Sequence, residues 1–236
     1  MTTPVAPISL SDVNVEIGRA ATAYVDMNES PVRALAGRGV PNSQIPLSFC
    51  AGQTYTPNIS LLTQNYFPGS STPSPVNANY WRYKICVIYS WTQLTNAGWY
   101  GQQRITKIGL YVNSVPLVSP FPNWTIGLIN TLDPVGTDIT SGWTTVRNPV
   151  SQSFSTGLYI FTLDTPFIWE GDFSYNNLGV GFVWGSTGSI SNSGTVAFSS
   201  NGSTRWAGAV TAGTYALTDS APNTQIGRPL IVFYND

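Results

Sequence analysis

From Trp81 to Trp91 every second residue is apolar: Trp81, Tyr83, Ile85, Val87, Tyr89 and Trp91. Arg82, Lys84 and Ser90 stand between them. A period of two sends successive side chains to opposite faces, so this stretch reads as a half-buried antiparallel strand. The same alternation runs through Trp124, Ile126 and Leu128, and through Leu178, Val180, Phe182 and Trp184. Shorter runs at Ile105 to Val112, Leu158 to Asp164, Thr195 to Phe198, Thr204 to Trp206 and Leu230 to Tyr234 are separated by Gly, Pro and Asn. About eight strands without a helical period predict a mainly β domain over 80–236, an antiparallel β-sandwich and most simply a jelly roll.

The first 52 residues read differently. Ser9-Leu10-Ser11-Asp12 has the form of a capping box, after which Leu10, Val13 and Ile17 fall on one helical face and Gly18 is a suitable stop. Ala21 to Met27 alternates like a short strand. A second helix is expected from Ser30, with Pro31 at its first position, Val32 and Leu35 as apolar residues, and Gly37 as its end. These pieces are too short to fold alone, so 1–52 is expected to be a small α+β module that docks on something larger. Residues 53–79 carry no charge and include Pro68-Gly69-Ser70-Ser71-Thr72-Pro73-Ser74-Pro75, which reads as a loop-rich connector.

Charge is scarce: 9% of the 236 residues are Asp, Glu, Lys or Arg, and seven of the 21 charges lie in the first 52. Gly39 to Tyr80 and Phe173 to Thr204 have none, yet no apolar run is long enough to span a bilayer. Histidine is absent, which removes Ser-His-Asp and Cys-His catalysis and the commonest metal ligand. A net charge of −1 leaves no electrostatic footprint for nucleic acid. Met1 to Pro7 lacks the basic and apolar regions of a signal peptide, so synthesis in a cytosol is expected.

Candidate chemistry is thin. Asp164, Glu170 and Asp172 are close in sequence and could supply the two carboxylates a glycosidase holds roughly 5 to 9 Å apart across a sugar, but a polar turn after a strand explains them better. Asp133 and Asp138 flank a turn without the spacing of a calcium loop. Cys50 and Cys86 are expected to be free buried thiols. No catalytic residue, metal ligand or cofactor is expected. Trp81, Trp91, Trp124 and Trp184 belong to strand faces. By contrast Trp99, Tyr100, Trp143 and Trp206 lie in or near Gly-containing loops, where flat rings beside Asn and Ser could stack on sugars, or could instead plug the sandwich ends or an interface.

Two segments resemble known families. Ile8-Ser9-Leu10-Ser11-Asp12-Val13-Asn14-Val15-Glu16-Ile17-Gly18, followed by Met27-Asn28-Glu29-Ser30-Pro31-Val32-Arg33-Ala34-Leu35-Ala36-Gly37, resembles a segment of tailed-bacteriophage structural proteins. There the pattern is an "ISL-x-D-V-N-x-E-L-G" helix and then "S-L-N-D-x-x-V-R-x-L-A-G". The segments Arg82 to Leu94, Ile105 to Val112, Trp124 to Thr131 and Phe161 to Gly171 resemble, more loosely, a β-sandwich module of Bacteroidetes surface proteins and some phage proteins. These resemblances imply a virion protein of a tail, fibre or baseplate, assembled in the host cytoplasm and bound to other virion proteins and to copies of itself. Leu10, Val13, Ile17, Val32 and Leu35 would then be the docking face, or else the module's own core. A carbohydrate- or receptor-binding module and a capsid decoration protein are the alternative readings, with a host glycan as the further partner.

Overall fold

The computed structural model describes residues 58–60, 66–67, 74–76, 80–97, 99, 103–115, 120–171, 177–185, 195–196 and 198–234. The docking candidates Leu10, Val13, Ile17, Val32 and Leu35, together with Cys50 and Tyr100, lie outside them. Twelve strands and one helix are described. They are β1 (Asn58–Ser60), β2 (Tyr66–Phe67), β3 (Arg82–Tyr89), α1 (Trp91–Asn96), β4 (Gln103–Ser114), β5 (Phe121–Thr131) and β6 (Thr144–Gln152). After these come β7 (Gly157–Trp169), β8 (Asn177–Gly185), β9 (Thr195–Val196), β10 (Phe198–Ala209), β11 (Asn223–Pro229) and β12 (Ile231–Tyr234).

They form two antiparallel sheets packed face to face, the β-sandwich expected from the period-two runs. The smaller sheet has the order β1-β12-β4-β7, with β9 also on β4, and the larger has the order β11-β10-β3-β8-β5-β6, with β2 also on β10. The inner face of the large sheet presents Tyr83, Ile85, Val87, Trp124, Ile126, Leu128, Val180, Phe182 and Trp184, all buried. Opposite them stand Ile105, Ile108, Leu110, Phe161, Trp169, Ile231 and Phe233 of the small sheet. Trp124 stacks across the gap on Phe161 with centroids 6.0 Å apart, and within the large sheet Phe121 meets Trp184 edge-on at 5.0 Å. Removing one such ring costs about 3–5 kcal/mol in a close-packed core.

Several elements depart from the sequence expectation. The connector supplies β1, paired with β12, and β2, paired with β10, and its Val76 is buried in the main core. Strands β6 (TTVRNPVSQ) and β11 (NTQIGRP) have no apolar alternation because they are the outermost strands of their sheet, where a proline and a polar outward face are tolerated. A helix, α1, replaces the end of the first strand. Ser90 and Gln93 make a reciprocal capping box: the Gln93 amide donates to Ser90 Oγ at 3.3 Å, and the Ser90 amide donates to Gln93 Oε1 at 2.9 Å. Trp91 therefore turns out of the strand, and its indole donates to the Gly171 carbonyl at 3.2 Å.

Strand β7, the last of the small sheet, is tied laterally to β5 and β6 by side chains. Arg147 donates to the Thr162 carbonyl at 2.9 Å, and the Asn148 amide donates to Asp164 Oδ2 at 2.7 Å. Asn130 mimics a strand: its Nδ2 donates to the Ile168 carbonyl at 3.0 Å, and its Oδ1 accepts from the Glu170 amide at 3.1 Å.

Candidate functional site

The three described tryptophans among the glycan candidates have different surroundings. Trp99 follows α1, and its amide closes the helix end on the Leu94 carbonyl at 2.8 Å. Its ring is fully buried, 5.4 Å from Phe233 and 6.3 Å from Trp169. The expectation of a loop ring open to a sugar is therefore corrected for Trp99: the short helix swings it into the core. Trp143 is half-buried, and its indole donates to the Ile139 carbonyl at 3.1 Å. The far edge of its ring lies over Gly179 and Gly181, where an added Cβ would come within 3.5 and 3.2 Å. Trp206, also half-buried, sits on β10 beside Tyr80 at 5.7 Å and Tyr83 at 6.0 Å. Tyr80 covers Gly208, where a Cβ would meet the tyrosine ring at 2.6 Å, so the glycine permits the stack. Tyr80 and Trp206 thus form a small aromatic shelf that is neither sealed nor fully open.

The most elaborate polar arrangement lies on the outer face of the large sheet. The alternation in β3 predicted that Lys84 would face solvent, but Lys84, Cys86 and Ile88 are all buried. Two loops, 132–143 and 210–222, close over them. Lys84 Nζ donates to three backbone carbonyls, those of Ile139 at 3.3 Å, Leu217 at 2.7 Å and Asp219. Three donors meet three acceptors, the pairing a buried ammonium requires. Burial pulls the Lys84 pKa down, opposed by the neighbouring Cys86, Asp138 and Asp219. Burial pushes the neighbouring Cys86 thiol up to about 12, so it is protonated and a poor nucleophile at neutral pH.

A second buried cation, Arg228, is structural in the same way. It donates to Gln93 Oε1 of α1 and lies 4.7 Å over the Tyr89 ring, whose hydroxyl donates to the Pro229 carbonyl. Burial lowers the Arg228 pKa and raises that of Tyr89.

Three of the candidate carboxylates, Asp133, Asp138 and Asp164, accept hydrogen bonds from the protein itself. Asp133 Oδ2 accepts from Thr131 Oγ1 at 2.8 Å. Asp138 accepts from Ser220 Oγ at 2.7 Å and from the Ala221 amide at 2.9 and 3.0 Å. Asp164 is taken by Asn148, and Asp172 is outside the described residues. Among the described residues no group of three or more His, Cys, Asp or Glu could hold a metal ion.

The outer face of the small sheet is different again. Leu158 and Ile160 of β7 and Tyr111 of β4 are 43%, 45% and 39% exposed and share one face, with Gly109 of β4 opposite Ile160. Sequence reading missed this strip, although the run Leu158-Tyr159-Ile160-Phe161 is apolar at consecutive positions and so turns one apolar row away from the core. No protein-family model, curated protein or solved structure matches the chain, so the fold and these surfaces stand on the residues themselves.

Proposed function

We propose that this chain is a structural component of a tailed-bacteriophage particle, a tail fibre or a tail- or baseplate-associated protein. It docks through residues 1–52 and projects the β-sandwich for assembly or host contact. The observation that carries this reading is the run Ile8 to Gly37, whose spacing follows the phage pattern nearly residue by residue, joined to a sandwich of very low charge. The use of the perturbed side chains agrees with it. Lys84, Cys86, Tyr89 and Arg228 are all spent on holding loops and strands together, not presented to a substrate. Low net charge limits self-repulsion between repeated copies. The test is to delete 1–52 and measure incorporation into particles. Loss of incorporation with a folded sandwich is expected, and normal incorporation would overturn the anchor.

A second reading, a receptor- or glycan-binding module, is favoured by one observation, the half-buried Tyr80–Trp206 shelf. Trp206→Ala and Trp143→Ala particles should then lose host adsorption while still assembling. Unchanged adsorption in both sinks this reading. A capsid decoration protein is the third alternative, distinguished by where the chain sits in the particle.

A further inference from the structure

The two loops over the outer face of the large sheet are far apart in sequence but tied together in several ways. Lys84 Nζ bonds Ile139 in the first loop and Leu217 and Asp219 in the second. Asp138 of the first loop accepts from Ser220 and Ala221 of the second. Arg205 of β10 donates to Gly136 of the first loop at 2.5 Å and to Pro222 of the second at 3.1 Å. Every one of these ties involves a side chain. The backbone bonds described within the loops, Thr137 to Pro134 and Asp219 to Ala216, are local turns.

Beneath the loops the sheet does not depend on them. Strands β3, β8 and β5 pair in continuous register, Arg82↔Gly185 to Tyr89↔Leu178 and Thr125↔Val183 to Thr131↔Asn177. Their inner face packs on the small sheet, whereas the outer apolar cluster is small: Cys86, Ile88 and Ile139, with Ile129, Val135 and Trp143 against it. Gly127, Gly179 and Gly181 clear the floor, so that Leu217 and Trp143 lie directly on the backbone. A segment with few apolar contacts and mainly side-chain ties opens at lower free energy than the core it covers.

We propose that loops 132–143 and 210–222 form one cooperative cover, latched to the sheet by Lys84, that opens as a unit without unfolding the sandwich. Protonated Lys84 joins both loops to β3 from beneath, as Arg205 joins them to β10. Losing Lys84 leaves three carbonyls in two loops without their donor at once, those of Ile139 and Leu217 buried. Opening exposes the trough floored by Gly127, Gly179 and Gly181 and frees Cys86, which faces Ile139.

Cys86 is a built-in reporter. In the full chain carrying Cys50→Ser, labelling of Cys86 by dithionitrobenzoate should proceed under native conditions, with a denaturant dependence well below that of global unfolding. Lys84→Met should speed this labelling at least tenfold, and Asp138→Ala several-fold. Amide exchange should show residues 134–143 and 215–221 opening with the same free energy, both accelerated alike by Lys84→Met, while amides of β8 and β5 keep their protection. Labelling that occurs only through global unfolding, or exchange accelerated in one loop alone, overturns the proposal. If Lys84→Met does not fold, the wild-type denaturant dependence and Asp138→Ala decide by themselves.

Discussion

The two outer faces of the sandwich solve the same problem in opposite ways. Both sheets carry apolar side chains on the face turned away from the core. On the large sheet, Cys86 and Ile88 are sealed under two loops that the buried Lys84 ammonium, Asp138 and Arg205 tie down. On the small sheet, Leu158, Ile160 and Tyr111 stay partly open to solvent. The difference lies in which residues flank the apolar ones. Glycines in β5 and β8 let a cover sit against the backbone of the large sheet. In β7 the outward row holds the full-sized side chains of Leu158 and Ile160, and Leu158 itself lies over Gly109 of β4.

The largest expected effect falls on the covered face. Lys84→Met leaves three carbonyls without their donor and should lower unfolding free energy by about 3 kcal/mol, read from denaturant titration. A change within about 0.5 kcal/mol would mean that the cover is held by its apolar contacts, and the contrast between the faces would weaken.

Next in size is an alkaline effect. The Cys86 thiol is raised from 9.0 to about 12, so its contribution is full below pH 9 and is lost as pH rises from 9 to 12. At pH 10.5 that loss amounts to about 2 kcal/mol, which Cys86→Ala should abolish. Lys84 acts in the opposite sense: its lowered pKa makes the folded state gain stability as pH climbs toward 10.5, so the alkaline loss should steepen in Lys84→Met. Equal pH dependence in wild type and Cys86→Ala would show that the thiol is not sealed in solution.

The smallest effect is expected on the open face. Leu158→Thr and Ile160→Thr should each cost no more than about 1 kcal/mol, because roughly half of each side chain is already in water. A cost of several kcal/mol, measured in the same titration, would reveal that this face is covered as well.

The inner faces of the sandwich were legible because they obey a strict period. Trp124, Ile126 and Leu128, like Leu178 to Trp184, point where alternation puts them. The cover was not legible, because β3 shows Arg82 and Lys84 opposite its apolar row and so imitates a solvent face. A clue existed one strand away: the positions alternating with Leu178, Val180 and Phe182 are Gly179, Gly181 and Val183, whereas a wetted face would carry Thr, Lys or Glu there. Trp99 was misplaced for a similar reason. Its neighbour Gly98 suggested a loop, but the signal that fixes it is the capping pair Ser90 and Gln93, which starts a helix ending against the core. Edge strands β6 and β11 stayed hidden because an edge makes few demands on its side chains.

The lateral ties along β7 have a consequence for any molecule made in many copies. An exposed strand edge invites the next chain to add itself, and a sandwich that did so would grow into a ribbon without limit. Arg147 and Asn130 already occupy the carbonyls of Thr162 and Ile168 with their own amide-like donors. At those two points the flank is stoppered from within, which opposes the addition of a further strand along β7.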